Sequence, residues 1–171
     1  MRHILFTLIM VSVLFAGCDE SDIANQGLAL QDLPGYVAFD APGDDAVLDD
    51  FATSEDGGSV DLTIENPSGT LVDINVDYLF GGSAEFGVDF NVSGATASGG
   101  SIVLKSNPGD VNNFDRVTLT IELLTDGATD GDKTLTVTLD GAQGVDGTAF
   151  AVGRGGTDLL KTATVNIADI D

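Results

Sequence analysis

The chain has 171 residues, 28 of them acidic and 6 basic, and carries a formal net charge of −22 at pH 7. A surface this acidic repels the phosphates of nucleic acids and anionic lipid head groups, which excludes nucleic acid as a partner and makes cations the natural ones. The single histidine, His3, and the single cysteine, Cys18, both lie in the first eighteen residues. The rest of the chain therefore has no Ser-His-Asp or Cys-His nucleophile and no His or Cys ligands for zinc.

Residues 1–17 read as a secretory signal. Arg2 and His3 form a short positive head, Ile4 to Phe15 an apolar run too short to span a bilayer, and Ala16-Gly17 a small-residue cleavage site. The segment Leu14-Phe15-Ala16-Gly17-Cys18 resembles a bacterial lipobox, with Phe15 where leucine is usual. The resemblance implies that Cys18 is acylated and becomes the new N-terminus. The plainer reading is an ordinary signal followed by a free thiol, and the position of a lone cysteine at the cleavage point favours lipidation. Cleavage removes Arg2 and leaves a charge of 5 − 28 = −23.

Asp19, Glu20 and Asp22 follow at once and resemble the surface-export signal of Bacteroidetes lipoproteins. The expected location is the outer membrane, lipid-anchored and facing the cell exterior, with a periplasmic-facing anchor as the alternative. No later segment reaches the ~18 apolar residues of a transmembrane helix. Residues 18–34 are expected to be the lipidated N-terminus and a tether, and residues 35–171 one folded domain.

Within that domain the apolar residues alternate with a period of two. Tyr36 to Phe39 gives a short first strand, an acidic loop with Asp44, Asp45, Asp49 and Asp50 follows, and Phe51 to Ser54 reads as its continuation after a break. Val60, Leu62 and Ile64 form the next strand, ending at the turn Asn66-Pro67-Ser68-Gly69. Ile74, Val76 and Tyr78 follow, then a long irregular connection from Gly81 to Phe90, then Ile102 and Leu104 up to Pro108-Gly109-Asp110. Val117, Leu119, Ile121 and Leu123 precede, and Leu135, Val137 and Leu139 succeed, the acidic stretch Thr125-Asp126-Gly127-Ala128-Thr129-Asp130-Gly131-Asp132. That stretch reads as the turn between two antiparallel strands. A Gly-rich loop from Gly141 to Gly156 leads to a last strand with Ala163, Val165 and Ile167. About seven strands spaced by turns predict an all-β fold, a single antiparallel two-sheet sandwich of immunoglobulin type.

An acidic turn repels itself unless it is solvated or holds a cation. The bland account of Asp126, Asp130 and Asp132 is turn chemistry, that of Asp89 a side-chain bond to loop backbone, and that of Asp169 and Asp171 a solvated chain end. Catalysis has little to work with. No Gly-x-x-x-x-Gly-Lys-[Ser/Thr] phosphate loop is present, and a carboxylate glycosidase would need stacking aromatics where the chain offers no Trp and only Tyr36 and Tyr78. The chain is not expected to be an enzyme.

Five segments in order resemble the Calx-beta domain. They are Ser54-Glu55-Asp56-Gly57-Gly58, Gly82 to Phe90, Pro108-Gly109-Asp110, the acidic stretch with Leu135 to Leu139, and Thr162 to Asp171. The resemblance implies that acids from distant loops converge on one pole of the sandwich. Carried over position by position, it nominates Glu55, Asp89, Asp126, Asp130, Asp169 and Asp171 as ligands for one or two calcium ions. Calcium takes six to eight hard oxygens in a tolerant geometry, which such loops can supply. Lys133, where a second glutamate is common, and Ile170, inside the terminal acid triplet, depart from the pattern. The function implied is a non-enzymatic, lipid-anchored envelope module that binds calcium for stability and adhesion, with a protein partner at the cell surface. The alternative is a metal-independent accessory lipoprotein of an outer-membrane uptake or secretion complex.

Overall fold

A computed structural model describes residues 35–41, 48–108 and 115–170. Cys18 and the expected signal and tether lie outside the described residues, as do Asp44, Asp45, Gly109, Asp110 and Asp171. The strands are β1 (Tyr36–Phe39), β2 (Phe51–Ser54), β3 (Ser59–Asn66), β4 (Ile74–Gly82), β5 (Phe90–Asn91), β6 (Gly99–Leu104), β7 (Asp115–Leu123), β8 (Lys133–Gly144), β9 (Ala149–Val152) and β10 (Thr162–Ala168).

Two layers form. One has the order β1-β3-β7-β5 and the other β2-β10-β8-β4-β6, and β9 links them by pairing with β8 on one side and, in parallel, with β1 on the other. The alternation read from the sequence decides the facing. In β7, Leu119, Ile121 and Leu123 are buried while Thr118, Thr120 and Glu122 are exposed, and Leu135, Val137 and Leu139 of β8 are fully buried. These meet Leu62 and Ile64 of β3, Ile74 and Val76 of β4, and Val165 and Ile167 of β10 in one core cluster. Each such side chain removed from water contributes about 1.5–3 kcal/mol.

The all-β sandwich predicted from periodicity is the fold found, with three local corrections. β2 does not continue β1: β1 pairs with β3 and β9, whereas β2 pairs in parallel with β10 in the opposite layer, Ser54 opposite Ala168. The acidic stretch is not a hairpin turn either. β7 pairs with β3 and β5, β8 with β10, β4 and β9, so residues 124–132 cross between layers that stand about 10 Å apart. The two connections read as irregular carry short strands, β5 in one and β9 in the other.

At the pole away from the acidic stretch, one buried carboxylate ties two loops. Asp115 is 3% exposed and accepts hydrogen bonds from the backbone N–H of Thr70 (3.0 Å) and of Asn107 (2.7 Å). Asp115→Ala would leave both donors without that acceptor, and we expect a loss of about 1–2 kcal/mol in urea denaturation, with the slope unchanged.

Candidate metal centre

Backbone hydrogen bonds stitch four chain segments together at the other pole. Leu123 N donates to Gly58 O (3.0 Å), which holds the β2–β3 turn against the end of β7. Leu124 N donates to Asp89 O (2.9 Å), and Ser83 N and Ala84 N both donate to Thr134 O (2.7 and 3.1 Å), so the 83–89 connection is fastened to both ends of the crossing segment. Glu55 N donates to Ala168 O (3.2 Å), bringing in the end of β10.

The 83–89 connection is also anchored from beneath by aromatics. Phe90 packs edge-on against Phe80 (5.0 Å between ring centres) and Phe86 (5.6 Å), and Phe80 stacks with Phe86 at 6.0 Å. These rings fix the residue between them. Asp89 is 2% exposed, and its Oδ2 accepts from Glu85 N. Its Oδ1 is buried with no hydrogen-bond partner. A buried carboxylate oxygen without a donor carries an uncompensated desolvation penalty.

The Asp89 carboxylate has company. The carboxylates of Asp89, Asp126 and Asp130 each offer an oxygen within 4.8 Å of the others. Asp126 and Asp130 are exposed, and Asp126 is held by its own turn, Oδ1 accepting from Ala128 N at 2.8 Å. Three like charges at this spacing oppose one another, and a hard cation among them would relieve that repulsion and offset the desolvation of the buried Asp89 carboxylate. The residues present therefore fit a calcium-type ion.

Of the other nominated acids, Glu55 and Asp169 stand beside this group and not in it, and Asp171 lies outside the described residues. Glu55, 2% exposed, is placed next to Asp169 by the parallel β2–β10 register. Asp169 accepts from Gly131 N through Oδ2 (2.6 Å), and its own N–H donates to Asp132 Oδ1 (3.1 Å). Asp132, which the sequence reading leaves in solvent beside Lys133, instead braces the crossing segment against the end of β10.

One residue supplies what sequence reasoning treated only as a departure. Lys133 Nζ lies 2.6 Å from Asp130 Oδ2. The hydrogen bond to Asp130 and, behind it, the charges of Asp130, Asp89 and Asp126 hold the Lys133 ammonium above its ordinary pKa, against partial desolvation. An internal cation already leans on the acidic group. Its place at the first position of β8, directly after the acids, was the available signal.

No protein-family profile matches the chain, and no curated protein matches its sequence. Solved structures do. The chain is similar to the apo form of the Calx CBD1 domain, at 20% identity and a TM-score of 0.54, over 81% of this chain and 99% of that one. It is similar to the Calx CBD2 domain at 16% identity and a TM-score of 0.55, over 79% and 89% of the two chains. The calcium-binding domain pair CBD12 of CALX1.1 matches at 22% identity and a TM-score of 0.50, over 79% of this chain and 44% of that one. The likeness is one of fold: the chain is an all-β, immunoglobulin-like sandwich, similar in fold to these Calx domains.

Proposed function

We propose that the chain is a non-enzymatic, lipid-anchored module of the cell envelope that binds calcium at its acidic pole, for stability and for adhesion. The observation that carries the calcium reading is the buried Asp89 carboxylate, whose Oδ1 has no donor and which offers an oxygen within 4.8 Å of oxygens of Asp126 and Asp130. The anchor rests on the lipobox-like segment ending at Cys18, and the surface location on the acids that follow it. A structural neighbour named as a calcium-binding domain pair supports the same reading.

Asp89, Asp126 and Asp130 would hold the ion, and Glu55 and Asp169 beside them, with Asp171, are the resemblance's candidates for a second one. Calcium there supplies positive charge that cross-links the 83–89 connection to the 124–132 segment. Binding to the folded state alone stabilises it by mass action: with free calcium at tenfold the dissociation constant, about 1.4 kcal/mol, or about 5 °C in melting temperature for a domain of this size. Thermal melts in calcium, magnesium and chelator test this. Superimposed curves in all three would exclude a calcium site.

The Lys133–Asp130 contact favours a second reading, the metal-independent accessory lipoprotein, in which the ammonium is the only counter-charge the pole needs. Lys133→Gln separates the two. Under the calcium reading the competing charge is gone and calcium affinity rises about tenfold by calorimetry. Under the alternative the variant is destabilised and remains indifferent to calcium.

A further inference from the structure

Sheet edges expose unpaired backbone groups, and proteins guard them with charge, proline, bulges or brevity. Among the described residues, three strands have a neighbour on one side only: β2, β5 and β6. β2 is short and bracketed by Asp49 and Asp50 before it and Glu55 and Asp56 after it. β5 has two residues and follows Asp89. β6, Gly-Gly-Ser-Ile-Val-Leu, has no charge, proline or bulge within its span, and Lys105, which follows it, is paired with Asp73. It lies inside residues 90–109, twenty positions without one acid in a chain that has 28 acids among 171 residues.

The ladder shows which groups of β6 are free. Phe80 N donates to Ser98 O, so Phe80 and Ser98 form a hydrogen-bonded pair, and in the register Tyr78↔Gly100, Val76↔Ile102, Ile74↔Leu104 the alternate pairs bond likewise. Positions 99, 101, 103 and 105 then direct their backbone groups outward. Gly99 is already paired with Thr96, N to O in both directions. Ser101, Val103 and Lys105 are left, with Ser101 exposed and Val103 39% exposed.

We propose that β6 is a homotypic interface: two copies of this chain pair edge to edge, antiparallel, about a twofold axis through Val103. In that register Val103 faces its counterpart, each Ser101 faces the other copy's Lys105, and six backbone hydrogen bonds join the two β2-β10-β8-β4-β6 layers into one continuous sheet. Charge selects the occupant. Two chains of −22 repel each other over most of their surfaces, and β6 itself brings no carboxylate to the axis, the acids beside it being Asp73, held by Lys105, and Asp77, across the ladder from Ser101. Lys105 stays engaged with Asp73 at 2.6 Å, so no unpaired cation is brought to the axis.

Sedimentation velocity of the full-length chain from micromolar to high micromolar concentration tests the pairing, at low and high sodium chloride and with chelator present throughout, so that calcium plays no part. The proposal expects a reversible shift toward twice the 17.5 kDa of one chain, tightening as salt screens the repulsion. Val103→Pro removes one donor per copy without touching the bonds to β4 and should weaken association about tenfold. Val103→Lys places two like charges on the axis and should abolish it. Should the proline variant lose its β-type circular dichroism, the lysine variant decides alone. A parent that stays monomeric at every salt concentration, or one that associates equally well with Val103→Lys, overturns the proposal.

Discussion

Asp89→Asn is expected to weaken calcium binding by on the order of 100-fold while leaving the calcium-free fold as stable as the parent or more so. The substitution keeps a side-chain oxygen to accept from Glu85 N and preserves the volume held beside Phe90. What it removes is the charge. A hard cation loses its one buried ligand, and losses of this kind reach or exceed the 10–100-fold seen when groups supporting a ligand are changed. Without the ion, the same change relieves repulsion among three carboxylates within 4.8 Å. Melting curves should therefore converge: the parent gains in calcium, and the variant gives the same curve with calcium or chelator. A purely structural role for Asp89 would instead lower stability in both conditions.

Gly82→Ala is expected to destabilise the fold by about 3–4 kcal/mol and to take the metal centre with it. Gly82 ends β4 at φ +99°, a conformation side chains rarely adopt, and an added methyl group would overlap the carbonyl oxygen of Thr134. That oxygen receives the N–H groups of Ser83 and Ala84. Relief requires the chain to swing away from β8 at the point where the 83–89 connection is fastened. Backbone strain of 1–3 kcal/mol and overpacking of similar size add here because neither can relax independently. Guanidinium denaturation would show a lower midpoint, and calcium titration a weaker response than the stability loss alone accounts for. Gly87→Ala, also at positive φ but with open space around it, is the control that separates strain from overlap.

The buried faces were legible in the sequence because a period of two fixes which side chains point inward whatever the neighbours. Leu119, Ile121, Leu135, Val137, Val165 and Ile167 all lie in the core. Pairing was less legible for the same reason. Alternation in Val117–Leu123 and Leu135–Leu139 is satisfied equally by a hairpin and by two strands facing each other across the core, and it contains no term for which neighbour donates the hydrogen bonds. β5 escaped notice because two residues are too few to show a period, and β9 because its four residues lie inside the stretch from Gly141 to Gly156 that its glycines mark as a loop.

The candidate site was half legible. The Calx-beta resemblance nominated Asp89, Asp126 and Asp130, which the fold brings together, although they stand up to 41 positions apart in the chain. It nominated Glu55 and Asp169 as well, which the β2–β10 register sets beside the group. Lys133 as internal counter-charge and Asp132 as a brace were not readable, because both roles depend on the exact course of residues 124–132 between layers. The phenylalanines beneath Asp89 come from β4, the 83–89 connection and β5, and only folding shows that they share one contact.

Calcium titrated calorimetrically into the purified chain, with magnesium into a second sample, should show saturable binding of one or two calcium ions, little response to magnesium, and loss of the calcium signal in Asp89→Asn. No saturable heat with calcium, accompanied by a melting temperature that chelator does not change, would rule out a calcium site at the acidic pole.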